Sequence, residues 1–331
     1  MKILLSLSLS ILFLSCNSHS KKAETIIIIP ELITDSLDTR MPGALIKCDD
    51  YLVWFDPFSM ENFLKVIKPE TGKLIGEMGK IGQGPDEFST PSVEYLNGNS
   101  MLVTDLNSDK QAVFSIDSLM NGDNPYYFKS KADFKDATRI VETDINKYVA
   151  LYPMESKPFK IIINQKSISF GKYPVDKKIS NGYEVFQGDL KYNKKRKVLV
   201  YSVFYYPYMA VYKNSKNGVE FELENEKVIC KPDYSIVDRE MRMKEKTALI
   251  SEIALTKDYI VTIQKKELKE GITEKNNIKP PETLYLYDYG LNLLKIIDTQ
   301  VPVLRLASDG KSNTIYAIII NPEYSIVKIE L

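Results

Sequence analysis

Acidic side chains recur where short apolar strands meet polar turns. Asp56 and Asp105 each end such a strand, Asp109 follows in the second turn, and Glu155 lies in the third. Paired carboxylates at a suitable separation can serve as acid and base in glycoside cleavage, and clustered oxygens can hold Ca²⁺. Aspartate is also a common turn former, and no D-x-D-x-D-G calcium loop occurs. We therefore favour structural roles for these acids and keep a carboxylate-based glycoside hydrolase or lyase as the alternative.

A second candidate group is aromatic. The segment YSVFYYPYMAVY, residues 201–212, places Tyr205, Tyr206 and Tyr208 around a proline, and Tyr324 lies in the last turn of the same kind. Tyrosine rings can stack on sugars or planar ligands and can hydrogen-bond through their hydroxyls. The alternative is that these rings pack inside a buried pair of strands. The predicted ligand-binding residues are Asp56, Asp105, Asp109, Glu155, Tyr205, Tyr206, Tyr208 and Tyr324.

Composition argues against several kinds of chemistry. The 331 residues contain a single histidine, His19, so a histidine base, a Ser-His pair or a histidine-ligated metal has almost no support. No G-x-S-x-G sequence and no metal-type cysteine spacing occurs. Lys and Arg number 44, Asp and Glu also number 44, and no basic face typical of nucleic-acid binding stands out. We therefore predict no catalytic residue, cofactor, metal or nucleic-acid partner.

The elements that position these residues repeat along the chain. Six segments share one template, in which a short apolar strand, a polar or proline-bearing turn and a second strand follow each other. They begin at Tyr51, Ser100, Lys147, Lys197, Asp258 and Asn313, at intervals of 47 to 61 residues. A period of this length is typical of repeated β-sheet architectures. The longest interval contains a charged insertion, residues 265–282, which we expect to be a surface loop.

Strands on either side of each template complete a four-stranded unit. In the first unit residues 43–47 precede the template and residues 74–78 follow it, whereas the last unit lacks a fourth strand. The isoleucine-rich residues 25–30 have no local partner and can supply it. The sequence therefore predicts an all-β fold: a six-bladed β-propeller of four-stranded antiparallel blades, with the N-terminal strand closing the last blade. The best helix candidate is residues 238–246.

In this fold the turns between second and third strands lie on one face around the central channel. The candidate acids and tyrosines fall in or beside those turns, and pockets form where polar groups from several blades converge. We therefore predict a binding module that captures a small ligand, a glycan or a protein partner at this face, which we call the predicted mouth. A propeller with a filled channel that binds partners by its sides or rim is a further possibility.

Two cysteines remain besides Cys16. Cys48 and Cys230 lie far apart in the sequence, in what should be different blades. An oxidising compartment would permit them to pair. We expect two separate buried thiols and keep the disulfide as the alternative.

The first residues predict export. Residues 1–15 carry a positive Lys2 and an apolar core too short to span a bilayer, as in a secretory signal peptide. The following Leu-Phe-Leu-Ser-Cys resembles the lipobox of bacterial lipoproteins, which implies cleavage before Cys16 and lipid attachment to its sulfur. Polar residues 16–24 then form a tether to a single domain, residues 25–331. We predict an envelope lipoprotein that contacts the membrane through this anchor only. The outer membrane is favoured, on its periplasmic face, because no acidic cluster follows Cys16.

One further run resembles a known propeller linker. Residues 79–91, GKIGQGPDEFSTP, follow the pattern G-x-x-G-x-G-P-x-E-F-x-x-P. Together with the lipobox, the isolated N-terminal strand and the Trp-Phe-Asp-Pro strand end at residues 54–57, this resembles the TolB-like and NHL-like six-bladed propeller lipoproteins of Gram-negative bacteria. The resemblance covers the mature chain and implies a fold and an envelope location, with no settled activity. The linker occurs once here, whereas NHL proteins repeat it, so their RNA or protein recognition is not implied.

Overall fold

The chain folds as a ring of β-sheets. The computed structural model describes residues 23–35, 37–105, 107–108, 110–128, 134–164, 166–175, 179–215, 219–243, 249–264 and 280–331. Within these ranges six antiparallel sheets of four core strands follow each other around a central channel, which confirms the predicted six-bladed β-propeller. The first strands of successive blades contact one another, and that of the sixth blade contacts that of the first. Each first strand therefore borders the channel.

The N-terminal strands and blades one to three come first in the chain. The N-terminal strands are β1 (Glu24–Ile27) and β2 (Glu31–Thr34). Blade one contains β3 (Leu45–Lys47), β4 (Leu52–Phe55), β5 (Asn62–Lys68), β6 (Lys73–Ile81) and the short β7 (Glu87–Phe88). Blade two contains β8 (Pro91–Tyr95), β9 (Ser100–Asp105), β10 (Gln111–Ser115), helix α1 (Ile116–Asn121) and β11 (Tyr126–Phe128). Blade three contains β12 (Arg139–Asp144), β13 (Lys147–Leu151), β14 (Phe159–Ile163) and β15 (Lys166–Phe170).

Blades four to six complete the ring. Helix α2 (Gly182–Phe186) precedes blade four, which contains β16 (Gly188–Asn193), β17 (Val198–Val203), β18 (Tyr208–Asn214) and β19 (Phe221–Val228). A separate hairpin of β20 (Tyr234–Val237) and β21 (Glu240–Met243) follows. Blade five contains β22 (Ile250–Leu255), β23 (Ile260–Gln264), β24 (Thr283–Tyr287) and β25 (Leu293–Asp298). Blade six contains β26 (Val303–Ala307), β27 (Thr314–Ile320) and β28 (Tyr324–Glu330).

An N-terminal strand closes the last blade, as predicted. β2 pairs antiparallel with β28, so blade six has the order β2–β28–β27–β26. The isoleucine-rich residues 25–30, expected to supply this strand, lie one blade earlier, where β1 pairs in parallel with β25. The alternation of the run explains this placement, since Ile26 and Ile28 pack on the core between blades five and six. Ile33, on β2, packs between blades six and one.

Hydrophobic clusters fill the spaces between successive blades. In the described ranges each of the six seams between neighbouring blades has its own cluster of buried side chains. The seam between blades three and four is rich in aromatic rings, and Phe159 lies edge-on to both Tyr201 and Tyr212 at 5.1 and 5.3 Å between centroids. Buried apolar area is the main favourable term in folding. The packed seams therefore hold neighbouring blades together around the channel.

The linker at residues 79–91 is a tight structural turn. Gly79 has φ +79°, and a Cβ there would lie 2.4 Å from the Phe63 ring. The Gly84 amide donates to the Glu87 carboxylate at 2.9 Å, and Lys110 Nζ donates to the Glu87 carbonyl at 2.8 Å. Only glycine accommodates both the positive φ and the ring contact at residue 79. The run thus joins blades one and two through its own internal hydrogen bonds.

The helix predicted at residues 238–246 is wrong, because its described part belongs to the β20–β21 hairpin. Asp238 and Arg239 both have positive φ, 50° and 66°, as the two central residues of a type I′ turn require. Met241 is buried in the core of blades three and four. Its amide and carbonyl both bond to the side chain of Asn181. These tertiary contacts outweigh the helical propensity of the segment.

No disulfide joins Cys48 and Cys230 in the described chain; the first is buried and the second is half-buried. Neither helix of the described chain has the length and apolar character needed to cross a membrane. The signal peptide, Cys16 and most of the tether predicted from the sequence lie outside the described residues, as does most of the charged insertion at 265–282.

Candidate functional site

The first strands carry charged side chains to the channel. From blade two to blade six every first strand contributes at least one. We call this set the channel charges: Glu94 on β8, Arg139 on β12, Asp189 and Lys191 on β16, Glu252 on β22 and Arg305 on β26. Three are acids and three are bases, so the set is neutral when all six groups are ionised. Removing an ionised group from water is costly unless the group is paired or hydrogen-bonded, so the partners of each charge show whether it has a structural role or is available to a ligand.

Several channel charges tie neighbouring blades together. The Asp189 carboxylate on blade four accepts from the Ile253 amide on blade five at 3.1 Å. The Glu252 carboxylate on blade five accepts from the Leu306 amide on blade six at 3.0 Å. Arg305 Nε on blade six donates to a backbone carbonyl that precedes β3 of blade one. These bonds satisfy the charges and fix the spacing of three seams at the channel.

A cavity of about 120 Å³ lies in the channel next to these groups. Glu94 and Lys191 line it, and apolar side chains including Ile46, Val141 and Ile253 form much of its wall. Ligand sites in proteins are mostly apolar concavities with a few polar groups that set orientation. The cavity therefore has the composition of a small-molecule site.

The cavity reaches the face opposite the predicted mouth. Its lining includes Leu96, Lys194 and Ser308, which lie in the turns between first and second strands. Those turns lie at the opposite end of the channel from the turns between second and third strands. We call this side of the ring the cavity face. None of the predicted ligand-binding residues that the structure describes lines the cavity.

The turns of the cavity face are bonded to one another. The Asp49 amide of blade one donates to the Gly98 carbonyl of blade two at 3.0 Å. Asn193 of blade four, almost fully buried, donates to the Thr256 carbonyl of blade five at 3.0 Å. Lys311 of blade six pairs with the Asp49 carboxylate at 2.7 Å. The entrance to the cavity is therefore largely preformed, which favours ligand binding.

Burial perturbs the acids of the channel. It raises the pKa of Glu94 to about 7, against the opposing effect of Arg139 and Lys191. It likewise raises the pKa of Glu252 to about 7, against the opposing effect of Arg305. Burial alone would lower the pKa of Lys191, but Asp189, Glu94 and Glu252 outweigh it and raise that pKa. Perturbed groups of this kind, gathered in a concave site, are typical of functional sites.

Glu94 and Lys191 retain hydrogen-bonding capacity toward the cavity. Glu94 is 4.0 Å from Arg139 and its side chain is 13% exposed. Lys191 lies 3.4 Å from Asp189, and its side chain is 40% exposed although it lies inside the ring. In the described parts of the chain, neither group makes a hydrogen bond to protein and the two do not pair with each other. Both are available to a bound molecule.

Two of the predicted acids are engaged in turns beside the predicted mouth. Asp56 is buried and accepts from the Phe58 amide at 3.0 Å and from the Thr39 hydroxyl at 2.8 Å. Asp105 is buried and accepts from the amides of Ser89 and Asn107 at 2.7 and 2.9 Å. Burial alone would raise the pKa of Asp105, but these hydrogen bonds outweigh it and lower that pKa. Their geometry is that of turn-forming aspartates.

The other two predicted acids add little to a carboxylate site. Glu155 is exposed and pairs with Lys160 at 2.7 Å. Asp109 lies outside the described residues. The structure therefore does not bring a pair of uncommitted carboxylates together among Asp56, Asp105 and Glu155, and the glycoside hydrolase or lyase alternative gains no support from them.

The predicted tyrosines separate into buried and accessible rings. Tyr208 is 2% exposed, and its hydroxyl donates to Glu226 at 2.7 Å. Tyr206 is also buried and packs with Tyr208 in the core of blades three and four. Tyr324 is half-buried against the core of blades six and one. Tyr205 alone among these four is substantially exposed, at 47%. A ligand contact at the predicted mouth therefore remains a hypothesis that rests mainly on Tyr205.

The channel charges were not among the residues singled out from the sequence, although a signal for them exists. Glu94, Arg139, Lys191, Glu252 and Arg305 recur at intervals of 45 to 61 residues, each in the first strand of its blade. A charged residue in the first strand of five successive repeats is unexpected in a packed wall. A comparison of the first strands of the repeats, rather than of the turns between second and third strands, indicates these charged residues.

These observations define the protein as a six-bladed propeller with a charged channel cavity, and the fold is similar to that of solved propellers. A protein of Bacteroides fragilis described as exported has a TM-score of 0.59 and 13% identity, over 91% of this chain and 93% of that chain. A member of the DUF4221 family from Bacteroides vulgatus has a TM-score of 0.59 and 10% identity, over 93% and 96%.

A third solved structure shares the architecture. The calcium-binding protein regucalcin from Agrobacterium tumefaciens has a TM-score of 0.52 and 7% identity, over 93% of this chain and 97% of that chain. At such identities the likenesses show the fold alone. No protein-family model and no curated protein matches the chain. Within the described ranges no group of three or more His, Cys, Asp or Glu side chains is placed to hold a metal ion.

Proposed function

We propose that this protein is a lipid-anchored β-propeller of the bacterial cell envelope that binds a small molecule in its central channel, without catalysis. The cavity beside Glu94 and Lys191 carries the proposal. Its volume of about 120 Å³ is close to that of engineered cavities that bind benzene, and a water needs only about 10–15 Å³ on the same kind of measure. The site therefore suits one small ligand better than a polymer.

The envelope location is supported by the N-terminal sequence and by one structural neighbour. Residues 1–15 have the pattern of a signal peptide, and Cys16 ends a lipobox-like run. The similar propeller from Bacteroides fragilis is described as exported. We propose attachment through Cys16 to the outer membrane, on its periplasmic face, within the TolB-like or NHL-like group of propeller lipoproteins.

Binding in the cavity can be tested with the full chain in detergent. A library of small metabolites and monosaccharides is screened by thermal shift on the native protein and on Ser308→Trp, which places a large ring at the cavity entrance. We expect at least one compound to raise the melting temperature of the native protein but not that of the variant. Compounds that stabilise both proteins equally bind elsewhere. If no compound distinguishes them, the cavity is not the binding site.

The anchor can be tested separately. In cells labelled with a radioactive fatty acid, we expect the native chain to carry label and to fractionate with membranes. Cys16→Ala should lose the label and should also change its processing at the signal peptide. Unlabelled native protein in the soluble fraction would refute the lipid anchor and would leave the channel site unaffected.

A further inference from the structure

We infer that the channel cavity binds a small zwitterion, a molecule with one primary ammonium and one carboxylate, with its ammonium at Glu94 and its carboxylate at Lys191. This inference rests on the proposed binding function and assigns the ligand class of that same site. A free α-amino acid with a small aliphatic side chain is the simplest such molecule.

The arrangement of the two side chains supports this assignment. Glu94 projects from blade two and Lys191 from blade four, so Val141 of blade three lies on the wall between them. Lys191 lowers the pKa of Glu94 and Glu94 raises the pKa of Lys191, but the two side chains form no ion pair. Neither makes a hydrogen bond to protein within the described ranges. A ligand with an ammonium and a carboxylate supplies a partner to each, and charge-assisted hydrogen bonds of this kind are strong.

The other charged groups on the cavity wall are already committed. Lys47 Nζ donates to two backbone carbonyls, those of Cys48 and Asp49, at 2.6 and 2.8 Å. Asp309 accepts from two amides of its own turn. Glu142 accepts from Asn97 across the seam to blade two. These residues shape the entrance, and Lys194 stands exposed at its edge, so Glu94 and Lys191 are the charges left for a ligand within the cavity.

Charge balance argues against a ligand with a single charge. At pH 8, above the raised pKa values of Glu94 and Glu252, the channel charges are three anions and three cations, so the net field favours neither a simple anion nor a simple cation. Such a ligand would hydrogen-bond to one of Glu94 and Lys191 and leave the other with its ion contact alone, at 4.0 Å to Arg139 or at 3.4 Å to Asp189. A zwitterion gives each of the two a charge-assisted hydrogen bond.

The walls argue against a sugar. Ile46, Val141, Ile253 and Leu306 line the cavity with apolar groups, which cannot hydrogen-bond to the hydroxyls that surround a monosaccharide. They suit a short aliphatic side chain, which gains free energy by leaving water. A small apolar amino acid therefore fits the walls as well as the charges.

The test compares matched ligands by calorimetry on the full chain in detergent at pH 8. L-valine is the zwitterion, isovalerate lacks its ammonium, isobutylamine lacks its carboxylate, and glucose is uncharged. We expect L-valine to bind at least about tenfold more tightly than either singly charged analogue, because each analogue loses one charged hydrogen-bonded contact. Glucose should not bind. Equal affinity of L-valine and one analogue would overturn the inference, as would no binding of L-valine at millimolar concentration.

Variants of the protein provide the second arm. Glu94→Gln and Lys191→Met should each weaken L-valine binding at least about tenfold. Glu77→Gln and Lys65→Met make the same two changes at an ion pair of 2.7 Å between β5 and β6, away from the cavity, and should leave binding unchanged. If the Glu94 and Lys191 variants bind L-valine like the native protein, the inference is wrong. If instead the thermal-shift screen finds a ligand that Ser308→Trp blocks while L-valine does not bind, the channel function stands and only the ligand class is refuted.

Discussion

The Arg305 guanidinium of blade six donates through Nε to the Gly43 carbonyl that leads into blade one, at 2.9 Å. A second bond from the same group reaches the Pro42 carbonyl at 3.2 Å. The same side chain faces Glu252 of blade five at 3.7 Å. Three blades therefore meet at one side chain, at the junction where the ring must close.

Arg305→Met should weaken that junction. The variant removes the donor for three carbonyls, those of Pro42, Gly43 and Leu304. It also leaves Glu252 without its counter-charge, so we expect the free energy of unfolding at pH 8 to fall by about 2–4 kcal/mol. Urea titration followed by circular dichroism measures it. Adding Glu252→Gln removes the unpaired carboxylate and should restore part of the loss. A single variant as stable as the native chain would show that Arg305 does not contribute to closure.

Stability should decline as the pH rises toward neutrality. Burial raises the pKa of both Glu94 and Glu252 to about 7, so the folded chain holds more protons than the unfolded chain between about pH 4.5 and 7. Stability contributed by these neutral carboxyls is present at low pH and lost across that window, on the order of 1–3 kcal/mol for each group. Urea titrations at pH 5, 6, 7 and 8 should show it.

The matched control for this pH effect is substitution by the neutral amide. Glu94→Gln with Glu252→Gln should flatten the profile between about pH 5 and 7. Asp105, whose pKa is lowered, changes its protonation below this pH window and should not contribute to the slope of stability against pH. A native profile that is flat or rises with pH would contradict the assignment of raised pKa values to the channel acids.

The tyrosines near the predicted mouth should differ sharply in their effect on folding. Tyr208→Ala removes a ring that is 2% exposed, and we expect it to cost about 3–5 kcal/mol of stability. Tyr205→Ala removes a ring that is 47% exposed and should change stability by less than about 1 kcal/mol. Urea titration distinguishes them. Loss of a protein or glycan contact in Tyr205→Ala alone would support a second binding surface at that mouth.

Ligand affinity in the cavity should depend on pH in the opposite sense to stability. The ionised form of Glu94 binds an ammonium, and Arg139, Lys191 and Asp189 are the charged groups that face it. Because its pKa lies at about 7, the affinity for L-valine should rise with pH and level off above about pH 8. Calorimetry at pH 6, 7 and 8 tests this. A pH-independent affinity in the native protein would place the ammonium elsewhere.

The six-bladed ring could be predicted from the sequence because the strand–turn–strand template occurs six times. Each template supplies two short apolar strands, and the number of templates sets the number of blades. The closing strand was assigned to the wrong run, since residues 25–34 contain two β-prone runs and both find a partner. Choosing between them depends on contacts with β25 and β28, which are remote in the sequence.

The site was harder to predict, because its residues come from five strands and none forms a local motif. Asp56 and Asp105 stand out in the sequence as acids at turns, yet backbone amides already satisfy both. Glu94 and Lys191 are unremarkable in sequence and become chemically available only when the ring brings their strands together. The hairpin at residues 234–243 was not predicted either. Its turn requires positive φ at two consecutive residues, Asp238 and Arg239, and nothing in their sequence indicates it.

The closing pair also constrains the order in which the protein can be completed. Glu31 pairs with Lys328, so β2 emerges early from a ribosome or a translocation pore and must wait for nearly the whole polypeptide before its partner exists. Contacts this remote in sequence form slowly. The sixth blade is therefore the last part of the ring to be completed, after nearly the whole chain has been made.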